Sequence, residues 1–200
     1  LRRAGEGARR GDVVLTAGTR LHPGHLGLAA SAGLVELEVV RPARVAVVTT
    51  GDELVAPGMA LAAGQIHESN AVVAAGLVRR SGATVTVHHS SDDAVALRHM
   101  LDDLASTHDL VLTTGGVSMG AEYDSVRVAL ADADVRVVKL SIRPAKPLAF
   151  GRIGDALFVG LPGNPVSVVV AFELFVRPAL RALAGIEPPV PPTVTGPAGE

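Results

Sequence analysis

The sequence predicts an α/β three-layer sandwich with a mostly parallel central sheet, and three observations point there. Apolar runs such as RVAVVTT (44–50) and DLVLTT (109–114) are short and do not alternate with polar residues, as strands buried on both faces do. Between the runs lie segments with helical spacing and capping residues at their starts. Each run ends in glycines, hydroxyls and carboxylates, and ligands in such folds bind beyond the carboxyl ends of the strands.

Taken in order, GDVVLTAGTRL near the start suggests a short strand, a glycine turn and a second strand. LGLAASAG (27–33) fits a short helix stopped by Gly33, and VELEVV (35–40) alternates like a half-buried strand. This stretch is too small to hold much core and reads as a β-rich, partial N-terminal subdomain over 1–42. Arg41-Pro42 marks a boundary. Strand 44–50 follows, then a helix over 69–82 capped by Ser69 or Asn70 and stopped by Gly82. ATVTVHH (83–89) is the next strand. The helix over 92–105 has Asp92 suited to capping and Asp93 to its positive first turn. Strand 109–114, helix 123–132 and strands at 135–140, 146–153 and 156–163 come next, the last two as a hairpin around Gly154-Asp155. A final helix over 165–184 puts Val169, Phe172, Val176, Ala179 and Leu183 on one face, with Pro178 forcing a bend or local rearrangement. The α/β domain therefore spans 43–185, and the Pro-rich 186–200 reads as a linker.

Composition narrows the function. With 4 Phe, 1 Tyr and no Trp, the core relies on Val, Leu, Ala and Ile. A net charge of −2, without a basic run bearing stacking aromatics, argues against nucleic acid. No cysteine is present, so disulfides, thiolate nucleophiles and Cys-based metal sites are excluded. No apolar stretch reaches membrane-spanning length. The expectation is a soluble cytoplasmic protein.

The chemistry converges on the strand ends TTGDEL (49–54), SSDD (90–93), TTGGVSMG (113–120) and LPGNPVS (161–167). Gly115 and Gly116 let backbone approach a ligand and point N–H groups at an anion, and Ser118 adds a hydroxyl. Asn164 and Ser167 stand at the start of the last helix, where free N–H groups favour phosphate or carboxylate. Asp52 and Glu53 are adjacent and face different ways, so one can meet a ligand while the other caps or pairs. Carboxylates beside a phosphate-binding edge suggest Mg²⁺. Lys139, Arg143 and Lys146 surround a Pro-stiffened loop suited to an oxyanion. No GK[ST] or GxGxxG motif supports ordinary nucleotide binding, and the seven histidines share no ligand pattern.

RVAVVTTGDEL (44–54), GQIHESN (64–70), DLVLTTGGVSMG (109–120), IRPAKPLAFG (142–151) and GLPGNPVS (160–167) together resemble the molybdopterin molybdenumtransferases, the MoeA/gephyrin E-domain family. The resemblance covers roughly residues 20–185. It implies insertion of molybdate into adenylylated molybdopterin, with Mg²⁺ and release of AMP, by a homodimer in transient contact with other proteins of molybdenum cofactor biosynthesis. The alternative is a non-catalytic molybdopterin-binding or scaffold module. The resemblance also implies roles. Thr50, Gly51 and Glu53 match the first ligand loop, and Asn70 the family Asn after it. Gly115, Gly116, Val117 and Ser118 match the loop on the pterin phosphate side, and Pro162, Gly163, Asn164, Pro165 and Ser167 the last loop. Asp92 matches the site aspartate, and Arg143 and Lys146 fall where the family has two lysines.

The chain departs from that pattern in three places. Arg143 replaces a lysine, and Ala145 stands where the family often has Gly. Tyr123 occupies the position of an expected acid, leaving Glu122 or Asp124; Asp124 is preferred, paired with Asp92 as catalytic and metal-holding. The resemblance further implies a longer protein with a lid-like N-terminal region and a C-terminal β-barrel.

Overall fold

The computed structural model of the protein describes residues 6–116, 125–187 and 190. In chain order the strands are β1 (Arg44–Thr50), β2 (Leu54–Val55), β3 (Ile66–His67), β4 (Thr84–Ser90), β5 (Leu110–Thr114), β6 (Asp134–Lys139), β7 (Pro147–Ile153) and β8 (Ala156–Leu161). The helices are α1 (Pro23–Ser31), α2 (Asn70–Arg80), α3 (Ala94–Thr107), α4 (Ser125–Ala129), α5 (Pro165–Ala171) and α6 (Arg177–Leu183), the last two joined by a π-helical turn over Phe172–Val176. β2 and β3 form a separate ribbon, while the other strands build one sheet in the order β4-β1-β5-β8-β7-β6. β4, β1, β5 and β8 are parallel, and β7 is antiparallel to both its neighbours. The hairpin joining β7 and β8 turns at Gly154-Asp155, as the sequence suggests.

Strand side chains point alternately to the two faces, and each face carries its own core. Val45, Val47, Leu110, Leu112, Val159 and Leu161 pack with Ala74 and Val78 of α2 and with Val168, Phe172, Val176 and Leu180 near the C-terminus. Ala46, Val48, Val111 and Phe158 pack with Leu97, Leu101 and Leu104 of α3 and with Val126 and Ala129 of α4. Two covered faces explain the unbroken apolar runs: every residue of β5 is buried. Each fully buried Leu or Phe contributes about 1.5–3 kcal/mol of transfer free energy. Below the sheet, Arg41 grips Asp109 with two hydrogen bonds of 2.6 and 2.7 Å, and Arg44 N–H donates to the same carboxylate at 2.8 Å. This clasp fixes the entry to β1 beside β5. The Arg41 hydrogen bonds hold the Asp109 carboxyl well below the usual carboxylate range.

Several elements differ from the sequence reading. No strand forms over 12–21 or 35–40; a strand needs a partner for its backbone groups, and no described residue pairs with these. Val35, Val39 and Val40 consequently stay 97%, 65% and 62% exposed. The described part of 1–42 is therefore a helix flanked by irregular chain, not a β-rich unit. That helix starts at Pro23, before the apolar run, because His22 Nδ1 accepts the Gly24 N–H and Pro23 fits a first helical position. Asp93, not Asp92, caps α3, accepting from Val95 N–H and Ala96 N–H. At the C-terminal helices the π turn precedes Pro178 and absorbs one extra residue, so Val168, Phe172, Val176 and Leu180 face the core while Val169 is 38% exposed. Only Ser125–Ala129 is helical within the described part of 123–132.

Candidate functional site

The strand ends meet on one edge of the sheet. Thr50 pairs with Ser90, Thr49 with Thr114, and Thr114 with Leu161, so the carboxyl ends of β1, β4, β5 and β8 are flush. Because β7 runs the other way and pairs Pro147 with Lys139, the connection over 140–146 sits at the same edge. The loops carrying Gly51, Asp92, Gly115, Gly163, Arg143 and Lys146 thus share one side of the molecule.

The two adjacent glycines run directly over β1. A Cβ on Gly115 would lie 3.5 Å from both the carbonyl and hydroxyl oxygens of Thr50. At Gly116, where φ is +66°, it would lie 2.4 Å from Val126 Cγ2. Nothing larger than glycine fits there without moving α4. Gly115 N–H also donates to Leu161 O at 3.1 Å, tying this loop to the end of β8. Beyond it, a Cβ on Gly163 would sit 3.6 Å from Gly115 Cα, so the last loop rests on the glycine loop. The hydroxyls of Thr113 and Thr114 are buried without a hydrogen-bond partner, on strand ends directly beneath the glycines.

The acidic residues separate into distinct roles. Asp52 N–H donates to Asp92 Oδ2 and Asp92 N–H to Asp52 Oδ1, both at 3.3 Å, and Ser125 Oγ approaches Asp92 Oδ1 at 3.5 Å. Glu53 instead folds back over Gly51, where an added Cβ would lie 2.5 Å from Glu53 Oε2. Asp52 is therefore the residue of the TGDE loop that joins Asp92, a choice adjacency alone leaves open. Two neighbouring carboxylates fit a Mg²⁺ ion that takes its remaining ligands from phosphate and water. Among the described residues no three His, Asp or Glu side chains converge as a complete metal site.

Not every expected ligand group is free. Asn164 Oδ1 accepts from Val166 N–H at 3.0 Å and Ser167 N–H at 3.3 Å, so the residue caps α5 and occupies N–H groups otherwise suited to an anion. Pro165 is the first residue of α5, while Pro162 and Ser167 are buried behind the loop. Asn70 Nδ2 donates to Gly163 O at 2.7 Å. Glu68, which sequence reasoning passed over, caps α2 by accepting the Ala71 N–H at 2.9 Å, whereas Ser69 makes no side-chain cap. No local signal singles it out, since Ser69 is the stronger cap by composition.

Arg143 and Lys146 are exposed, and neither forms an ion pair among the described residues. Between them Ala145 is buried with φ +79°, a left-handed backbone suited to glycine. Leu140 N–H closes the loop onto Lys146 O at 2.7 Å. His88 and His89 face opposite sides as their adjacency requires: His89 Nδ1 lies 3.2 Å from Thr49 Oγ1, while His88 Nε2 lies 2.9 Å from Thr86 Oγ1. Burial, and secondarily His108, lowers the His88 pKa. Val117, Ser118, Glu122 and Asp124 lie outside the described residues.

The chain is similar to known proteins. The family described as "Probable molybdopterin binding domain" matches residues 46–182. Molybdopterin molybdenumtransferase 2 of Mycobacterium tuberculosis is 44% identical over 96% of this chain and 49% of its own length. The Haemophilus influenzae molybdopterin molybdenumtransferase is 40% identical over 92% of the chain and 46% of its own. The chain thus spans about half the length of the curated relatives it matches. Among solved structures, a molybdopterin biosynthesis MoeA protein from Pyrococcus horikosii superposes with TM-score 0.78 at 29% identity, over 92% of this chain and 46% of that one. The MoaB protein of Thermus thermophilus, at 21% identity and TM-score 0.54 over 72% of this chain and 97% of that one, shares the fold.

Proposed function

Because the chain belongs to the molybdopterin-binding domain family, we propose that it is the binding and catalytic domain of a molybdopterin molybdenumtransferase. The reaction joins molybdate to the dithiolene of adenylylated molybdopterin and releases AMP. One observation carries the reading: Gly115 and Gly116 pass over Thr50, and Gly163 rests on Gly115, at the edge that also bears the Asp52–Asp92 pair and the cationic loop over 139–146. The relatives' names support it as well.

The residues divide the work. Thr50, Gly51, Gly115 and Gly116 form a close-fitting floor that receives the phosphate-bearing pterin, with Val117 and Ser118, next in the sequence, as further pterin contacts. Arg143 and Lys146 draw molybdate to that edge, where backbone N–H groups and cations stabilise oxyanion charge. Asp52 and Asp92 hold Mg²⁺, with Asp124 as a further acid. When bound, Mg²⁺ supplies charge neutralisation at the phosphoanhydride. Holding the two anions in place is the protein's main contribution, and no covalent nucleophile is required. Glu53 and the segment from Pro162 to Ser167 build the walls, and Asn70 ties that segment to α2 through Gly163 O. The working assembly is a homodimer in the cytoplasm, in transient contact with other proteins of molybdenum cofactor biosynthesis.

Mixing the protein with adenylylated molybdopterin, molybdate and Mg²⁺ and following AMP tests the proposal. Release above a protein-free control is expected. Pterin binding with no release would instead identify a binding or scaffold module.

A further inference from the structure

The amide of Asn70 is turned into the protein rather than out towards a ligand. Its Nδ2 is committed to Gly163 O at 2.7 Å, and its Oδ1 is closed off from solvent without a partner. Yet it stands where two loops of the site are joined. Upstream, Ile66 N–H donates to Glu53 O at 2.9 Å and Glu68 N–H to Val55 O at 2.8 Å, binding this segment to the chain that follows β1. The Glu68 carboxylate then caps α2 through Ala71 N–H at 2.9 Å, which fixes the first helical residue, Asn70. Downstream, Gly163 rests against Gly115, with 3.6 Å between its added Cβ and the Gly115 Cα.

We propose that Asn70, anchored by the Glu68 cap, is a positioning residue: it sets the height of the Gly163 loop over the glycine loop and does not itself touch the substrate. The physical reason is the economy of a single amide. A short hydrogen bond from a helix-borne side chain restrains a loop carbonyl, and glycine at 163 offers no side chain of its own to pack. Releasing that carbonyl frees the segment that begins α5, where Val166 N–H and Ser167 N–H depend on Asn164 staying in place.

Hydrogen exchange on the ligand-free protein reads this directly. In Asn70→Ala, amides of Val166 and Ser167 should exchange roughly three- to tenfold faster, the factor expected for losing one hydrogen bond. Core amides over 45–48 should keep parental rates and report an intact fold. Asn70→Asp retains shape and puts a favourable charge in the first turn of α2, so it folds if the alanine variant does not; lacking the donor, it should show the same acceleration. Glu68→Ala should loosen the segment as well, and Glu68→Gln, which keeps the acceptor for Ala71 N–H, should restore parental exchange. The consequence for turnover rests on the function proposed above: KM for adenylylated molybdopterin should rise more than kcat falls. Unchanged exchange in both Asn70 variants, with weaker substrate binding, would make Asn70 a direct ligand contact and overturn the inference. A parent protein that releases no AMP would sink the proposed function and leave the exchange result standing.

Discussion

Asp52 and Asp92 each accept the other's backbone N–H at 3.3 Å, so two loops 40 residues apart are clasped by reciprocal hydrogen bonds. The clasp leaves helix capping to the neighbouring Asp93, whose Oδ1 accepts Val95 N–H at 2.8 Å. Adjacent aspartates therefore have separable roles.

That separation gives a paired prediction. Asp93→Ala removes a cap and should cost about 0.5–2 kcal/mol of stability with little effect on turnover. Asp92→Asn keeps acceptor capacity but loses charge, so its melting temperature should stay near the parent. Its AMP release should fall about 10- to 100-fold, the range for weakened metal-site support, with partial recovery at raised Mg²⁺. Thermal melts and turnover of both variants decide this; a fully active Asp92→Asn removes Asp92 from the chemistry.

At Gly116 the backbone itself is the constraint. An added Cβ meets Val126 Cγ2 at 2.4 Å, and φ is +66°. Gly116→Ala should cost at least about 1–2 kcal/mol from the left-handed conformation alone, before α4 shifts. The expected result is a lowered melting temperature together with weaker pterin binding. The contact with Val126 makes Gly116 a packing residue as well as a candidate ligand contact. A parental melting temperature would contradict the close approach.

The Arg41–Asp109 clasp makes stability depend on pH. Asp109 is depressed in the folded state, so its contribution is present above the unfolded carboxyl pKa of about 4. It is lost as pH falls from there towards the lower folded value. The stability gap between the parent and Asp109→Asn should be widest near neutral pH and shrink below about pH 4. Denaturant melts at several pH values check this; a gap that grows with acid would refute it.

For the cationic loop, Arg143→Ala and Lys146→Ala should each raise KM for molybdate, and the effect should shrink at high salt because both side chains are exposed. Steady-state kinetics at two ionic strengths provides the test. Salt-independent losses would point to a packing role.

Much of this was legible because the parallel strands carry a strong signal. Val45 to Val48 and Leu110 to Leu112 are buried on both faces, and burial of that kind leaves unbroken apolar runs. The strand ends were equally readable, since glycines, hydroxyls and acids recur after each run. What could not be read depends on contacts made far along the chain. Asp92 and Asp93 are equally good caps by composition, and only Asp52, across the edge, decides between them. The π turn at Phe172–Val176 shifts the buried face by one residue, which helical periodicity does not anticipate. Alternation over 35–40 reads as a strand because periodicity carries no information about whether a partner backbone lies beside it. Ala145, by contrast, stands out in the sequence because the family often has glycine there, and its φ of +79° shows why glycine suits that position.

The most direct test of the central claim couples the two products in a single turnover. Protein loaded with adenylylated molybdopterin and Mg²⁺ is mixed with limiting molybdate, and both AMP released and molybdenum bound to the pterin are counted. The account predicts that AMP release needs molybdate and matches incorporated molybdenum one for one, as the transfer stoichiometry requires, with both slowed together in Asp92→Asn. Pterin that binds at the Thr50–Gly116 edge while AMP stays attached, with molybdate present, would contradict it.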